Sequence, residues 1–74
     1  MKYVNTDIEM KLGDIVNIDD VWSGRVVCII EDGEFEESYE GFHYLLNGFM
    51  VETKEMGLIH YSTENEEVYF VSRS

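Results

Sequence analysis

Short runs of alternating apolar and polar residues, separated by glycines, dominate this chain. Glycine occurs at positions 13, 24, 33, 41, 48 and 57, and proline is absent. Between the glycines many residues are β-branched or aromatic, which is typical of short strands joined by turns. The pattern predicts five strands, over residues 14–18, 24–30, 48–53, 57–62 and 68–72.

Alternation predicts which face of three strands is buried, because side chains two residues apart share a face. The apolar pairs are Val16 and Ile18, Phe49 and Val51, and Val68 and Phe70. Gly57 can supply the positive φ of a tight turn, so the third and fourth strands are expected to form a hairpin. The second strand is apolar on both faces, as expected where a small barrel bends or where a partner covers the strand.

Residues 31–47 connect the second and third predicted strands, and we call them the acidic loop. Six of the residues between 31 and 40 are carboxylates, and none is Lys or Arg. Phe35, Tyr39 and Phe42 lie among these acids, whereas disordered acidic tails are poor in aromatics. Apolar residues at helical spacing, interrupted by Gly41, predict one helical turn or a packed loop over 38–46.

The net charge of −11 and the pI near 4.2 bear on partners rather than on the fold. Such a charge repels nucleic acid and anionic membranes and attracts a basic protein. With 45% hydrophobic and 14% aromatic residues, the chain is expected to fold as a single domain over 1–74. Its small core predicts a monomer or a weak homodimer.

Cys28 is the single cysteine and lies in an apolar run, so we expect a buried side chain and no intramolecular disulfide. A reducing cytoplasm fits this composition. Residues 1–7 lack the apolar stretch of an export signal, and no run is long enough to cross a membrane.

Enzymatic and metal-binding interpretations find little support in the residue pattern. A hydrogen-bonded structural role is expected for His60, and His43 is either a solvated loop residue or a contact residue. The carboxylates do not follow the register of an EF-hand, and there is no zinc-ligand spacing and no glycine-rich phosphate loop. We therefore expect no catalytic residue, no metal site and no cofactor.

Partner binding accounts for the acids and the aromatics together, since interfaces centre on aromatic anchors with charges around them. Trp22 either extends this surface or covers the small core. The expected partner-binding residues are Glu31, Asp32, Glu34, Phe35, Glu36, Glu37, Tyr39, Glu40, Phe42, His43 and Trp22.

Two resemblances add a fold and a function to this interpretation. The run from Leu12 to Val16, followed by Gly24-Arg25-Val26-Val27, resembles the opening of bacterial SH3-like and KOW-type modules, in outline over residues 12 to 72. It implies an all-β fold, a small SH3-like barrel of five strands with a long acidic loop.

The second resemblance lies in Gly57-Leu58-Ile59-His60-Tyr61, which follows an acidic, aromatic loop. It is similar to the small acidic immunity proteins of bacterial polymorphic-toxin and contact-dependent inhibition systems. That resemblance implies a cytoplasmic protein that binds a cognate basic toxin domain, often a nuclease, and occludes its substrate cleft. A nucleic-acid-mimicking regulator of a basic host protein and a structural SH3-like interaction module are the alternatives.

Overall fold

A computed structural model describes residues 1–73, which form one antiparallel sheet and two 3₁₀ helices, written η. The five predicted strands are confirmed to within two residues at their ends, and one short strand was not predicted. In chain order the elements are β1 (Ile15–Ile18), β2 (Trp22–Ile29), η1 (Ile30–Asp32), β3 (Glu34–Phe35), η2 (Glu40–Leu45), β4 (Phe49–Thr53), β5 (Gly57–Tyr61) and β6 (Val68–Ser72).

The strands lie in the order β5-β4-β2-β1-β6, and every pair is antiparallel. The long strand β2 is central, because β4 pairs with one of its edges while β1 and β3 share the other. No ladder joins β5 to β6 within residues 1–73, so the hydrogen-bonded sheet is open. The prediction of a small all-β fold is confirmed, and closure into a barrel stays a prediction.

Two hairpin turns show how local sequence sets the strand register. Between β1 and β2, Asp19 and Asp20 have φ of 53° and 57°, and the Val21 amide donates to the Ile18 carbonyl at 3.0 Å. This is the type I′ geometry that Asp tolerates and that suits the twist of a hairpin. The predicted hairpin between β4 and β5 is confirmed, with Gly57 at φ 74°.

A β-bulge in β2 places two successive apolar side chains on the same face of the sheet. Val26 pairs with Val51 and Cys28 pairs with Met50, so Val27 is an extra residue in β2. A bulge changes the side-chain alternation beyond it. Val27 and Cys28 are consequently buried together on one face, and Val26 and Ile29 are buried in the main core on the other.

One face of the sheet carries the main core, a set of buried side chains drawn from the strands and from the N-terminal residues. Tyr3 and Met10 reach it because the chain before β1 turns back on itself, with the Met10 amide donating to the Met1 carbonyl at 2.7 Å. Its buried members are Tyr3, Met10, Val16, Ile18, Val26, Ile29, Phe49, Val51 and Val68. The three apolar pairs predicted from alternation all lie here, with Phe70 partly buried.

A fully buried carboxylate ties the chain ends to this core. Asp14 accepts hydrogen bonds from the Tyr3 hydroxyl at 2.7 Å, the Lys11 amide at 3.0 Å and Arg73 Nε at 2.9 Å. The Arg73 guanidinium also lies 5.2 Å from the centre of the Phe70 ring. Burial alone would raise the pKa of Asp14, but the bonds from Arg73, Tyr3 and Lys11 outweigh burial and lower it.

Candidate protein-binding surface

The acidic loop is folded against the sheet by backbone hydrogen bonds. Its strand β3 pairs with the end of β2, and the Glu36 amide donates to the Val27 carbonyl at 2.9 Å. At the other end, the Gly48 carbonyl accepts from the amides of Ile30 at 2.9 Å and Glu31 at 3.3 Å. Because both ends are tied, the loop has a defined shape before any partner arrives.

Side chains of the acidic loop cover a second hydrophobic cluster, distinct from the main core. Its buried residues are Val27, Cys28, Ile30 and Met50. Packed against them, and partly buried, are Phe35, Tyr39, Phe42 and Leu45. The three aromatics expected to contact a partner therefore pack largely on the protein itself.

Polar contacts reinforce this packing across β2 and β4. Arg25 pairs with Glu36 at 2.9 Å and with Glu52 at 3.7 Å, and Glu52 also accepts the Tyr39 hydroxyl at 2.7 Å. The hydrogen bond to Glu52 raises the pKa of Tyr39. Ion pairs this exposed contribute about 1 kcal/mol or less each, so they orient the loop more than they stabilise it.

The predicted acidic residues divide by whether they are paired. Asp32 lies 2.9 Å from the N-terminal ammonium, and Glu36 is held by Arg25. Among residues 1–73 the remaining four form no ion pair and are exposed: Glu31, Glu34, Glu37 and Glu40. These four side chains give the loop an uncompensated negative surface.

His43 and Trp22 have different surroundings from one another. The Nδ1 atom of exposed His43 lies 2.9 Å from the Glu40 carbonyl, a contact within η2. Trp22 packs against the main core rather than against the second cluster. His60, expected to be structural, places Nε2 3.0 Å from the Asn47 carbonyl at the end of the loop.

Two apolar residues of the acidic loop were not among the predicted contacts. Tyr44 is 65% exposed and Leu46 is 76% exposed, beside partly buried Phe42 and Leu45. The distinction follows from the three-residue repeat of η2, in which residues three apart lie one above the other. The sequence signal for the buried side was the spacing of three between residues 39, 42 and 45. It separates these residues from Leu46 only if the turn is taken as a 3₁₀ helix.

Cys28 is fully buried, as predicted, and burial, followed by the charges of Glu36 and Glu40, raises the pKa of its thiol. A thiol in this environment stays protonated and is a poor nucleophile. Residues 1–73 form no pocket and no group of three or more His, Cys, Asp or Glu able to hold a metal ion. In the same residues, no helix has the length and apolar character needed to cross a membrane.

Comparison of the chain with models of protein families, with curated proteins and with solved structures finds no match in any of the three.

Proposed function

We propose that this chain is an immunity protein that binds a cognate basic toxin domain in the cytoplasm and occludes its substrate cleft. The observation that carries the proposal is a set of four exposed carboxylates, without an ion pair in residues 1–73, on a loop that is folded onto the sheet: Glu31, Glu34, Glu37 and Glu40. A nuclease is the toxin class that fits best, because a nuclease cleft is built to hold phosphate with Lys and Arg.

The folded state of the loop matters for inhibition. A disordered acidic tail loses conformational entropy when it binds, whereas a loop already fixed by its own aromatics loses less. Fixed carboxylates can meet fixed cations in a cleft and displace substrate phosphates without being cleaved. Complementary charge of this kind raises the association rate and excludes wrong partners.

The fold proposed for this role is an SH3-like barrel. Strands β6, β1, β2, β4 and β5 follow one another in the sheet, and all five contribute side chains to the main core. Since neighbouring strands are about 4.8 Å apart, a flat sheet would separate β5 from β6 by four such spacings. Sharing one core across that distance supports a strongly curled sheet.

Charge reversal of the loop tests the proposal. The loop variant is Glu34→Lys, Glu37→Lys and Glu40→Lys, which spares Glu36 and its contact with Arg25. Tagged wild-type protein is expected to retain a basic toxin-like protein from a lysate of its source organism at low salt. At high salt, part of the retained protein should be released. The loop variant should not retain the toxin-like protein, and it should not protect cells in which that toxin-like protein is expressed.

A second variant controls for net charge. It carries Glu55→Lys, Glu64→Lys and Glu66→Lys, three exposed residues outside the acidic loop, and so has the same net charge as the loop variant. It is expected to bind and protect like wild type. Equal loss in both variants would mean that net charge alone drives binding, and a spread of nucleic-acid-binding proteins in place of one partner would favour mimicry of nucleic acid.

A further inference from the structure

The helix η2 separates the apolar residues of the acidic loop into an inward row and an outward row. Phe42 and Leu45 are three residues apart and pack on the second cluster. Tyr44 aligns instead with Gly41, whose missing side chain leaves open space within 4 Å of its Cβ position. The Tyr44 ring is therefore displayed to solvent while its neighbours are covered.

Leu46 is exposed in a backbone conformation that leucine rarely adopts. Its φ is 71° and its ψ is −37°. The Asn47 amide donates a hydrogen bond to the Leu45 carbonyl at 2.8 Å, so the bond spans Leu46. This is a γ-turn with positive φ, which is strained for any residue with a Cβ. Neither burial nor backbone preference accounts for leucine here, since a small polar residue or glycine would be more favourable in isolation.

Acidic residues lie on η2, which carries Tyr44 and ends next to Leu46, and on η1, which contacts η2. Glu40 is the first residue of η2. The Glu31 amide donates a hydrogen bond to the carbonyl of Gly48, two residues after Leu46. Neither carboxylate is ion-paired within residues 1–73. A surface that covers Tyr44 and Leu46 would thus meet negative charge at its rim, which fits a positively charged partner and repels a second copy of this chain.

We propose that Tyr44 and Leu46 are the apolar anchors of the complex, inserting into an apolar depression rimmed by Lys and Arg on a basic partner protein. This inference rests on the proposed function and specifies which side chains hold the partner. Energetically dominant interface residues are commonly aromatic, central and surrounded by polar groups that exclude water. In such a complex the acids govern association, and the two anchors govern dissociation.

Site-specific photocrosslinking identifies what lies against the anchors. The photoreactive residue p-benzoylphenylalanine replaces Tyr44 in one variant and Tyr69 in a matched control, an exposed tyrosine of β6 outside the acidic loop. Irradiation in cells is expected to give an adduct with one basic protein from position 44 and none from position 69. An adduct from position 69 alone overturns the inference, and no adduct from either position counts against both the inference and the proposed function.

Dissociation rates of the purified adduct partner complete the test. Leu46→Gly removes the side chain and relieves the positive φ, so its melting temperature is expected to equal or exceed that of wild type while dissociation accelerates about tenfold. Tyr44→Ser should act in the same direction, and Tyr69→Ser should change nothing. If Leu46→Gly and Tyr44→Ser dissociate like wild type while the charge-reversed loop variant fails to bind, the proposed function stands and the inference is wrong.

Discussion

At the scale of single residues, the Asp14 site shows how a buried charge is kept in a small core. A carboxylate without solvent is costly unless donors surround it. Here one donor comes from the N-terminal turn, one from the backbone before β1 and one from Arg73, separated from Asp14 by 59 positions. Removing one donor should therefore weaken the attachment of the chain before β1 to the sheet.

Tyr3→Phe is predicted to destabilise the protein by about 1 to 3 kcal/mol, because a buried carboxylate loses a hydrogen bond. The pKa of Asp14 is lowered in the folded state, so its contribution is complete above its ordinary value of about 4 and is lost as pH falls through the lower, folded value. Burial and the bond to Asp14 raise the pKa of Tyr3, so its contribution is complete below about 10 and is lost as pH rises.

The difference in unfolding free energy between wild type and Tyr3→Phe should consequently be greatest between about pH 4 and pH 10 and should narrow on both sides. Urea denaturation followed by Trp22 fluorescence, at pH values below about 4, between about 4 and 10, and above about 10, measures this difference. Tyr69→Phe is the control, because this exposed tyrosine has no hydrogen-bonding role in the core. A difference that does not vary with pH would contradict the assignment of Asp14 as the charged acceptor.

At the scale of elements, the acidic loop behaves as a folded layer because its aromatics cover the second cluster. Phe42 is the aromatic that η2 supplies. Its ring stacks on that of Tyr39, with 6.4 Å between the ring centres and 28° between the ring planes. Since these side chains are only partly buried, the loop is less stabilised than the strands beneath it. Local opening of the loop should precede global unfolding.

Phe42→Ala is predicted to loosen the acidic loop and to cost about 1 to 2 kcal/mol, less than a fully buried phenylalanine would. A protease that cleaves after glutamate reports this opening at the glutamates of the acidic loop, because backbone hydrogen bonds to β2 and Gly48 hold the loop while it is docked. Cleavage should be several-fold faster than in wild type. Tyr44→Ala, an exposed aromatic of the same helix, should leave the rate unchanged; equal acceleration in both variants would contradict docking through Phe42.

Local pattern predicted the strands because alternation and turn residues are short-range signals. The pair Val16 and Ile18, and the hairpin at Gly57, needed only neighbouring residues. The bulge at Val27 was not predicted, since one inserted residue in an all-apolar run leaves the hydrophobic pattern unchanged. The second cluster and the inward orientation of Phe35 depend on the acidic loop folding over one face of β2, a contact that spacing alone does not show.

The candidate surface was predicted in charge but only partly in its apolar residues. The exposure of the acidic side chains could be predicted from composition, because carboxylates are rarely buried unless they are paired. Distinguishing Phe42 from Tyr44 required knowing that the turn is 3₁₀ and what lies beneath it. Arg73 and Asp14 are far apart in the sequence, and no local pattern relates them.

At the scale of the whole molecule, charge opposes compactness. A net charge of −11 is carried by a chain whose radius of gyration is 11.0 Å. The screening length is about 30 Å at 0.01 M salt and about 10 Å at 0.1 M. At the lower ionic strength, acids on opposite sides of the molecule therefore repel one another.

Added NaCl is predicted to raise the melting temperature by several degrees between about 0.01 M and 0.5 M, as screening removes this repulsion. The same salt weakens the exposed pairs of Arg25, but each contributes little, and the Arg73 pair with buried Asp14 is screened less. Calorimetry at matched protein concentration measures the shift. The control with Glu55, Glu64 and Glu66 changed to Lys carries less negative charge and should show a smaller shift. A melting temperature that falls as salt is added would mean that ion pairs outweigh repulsion.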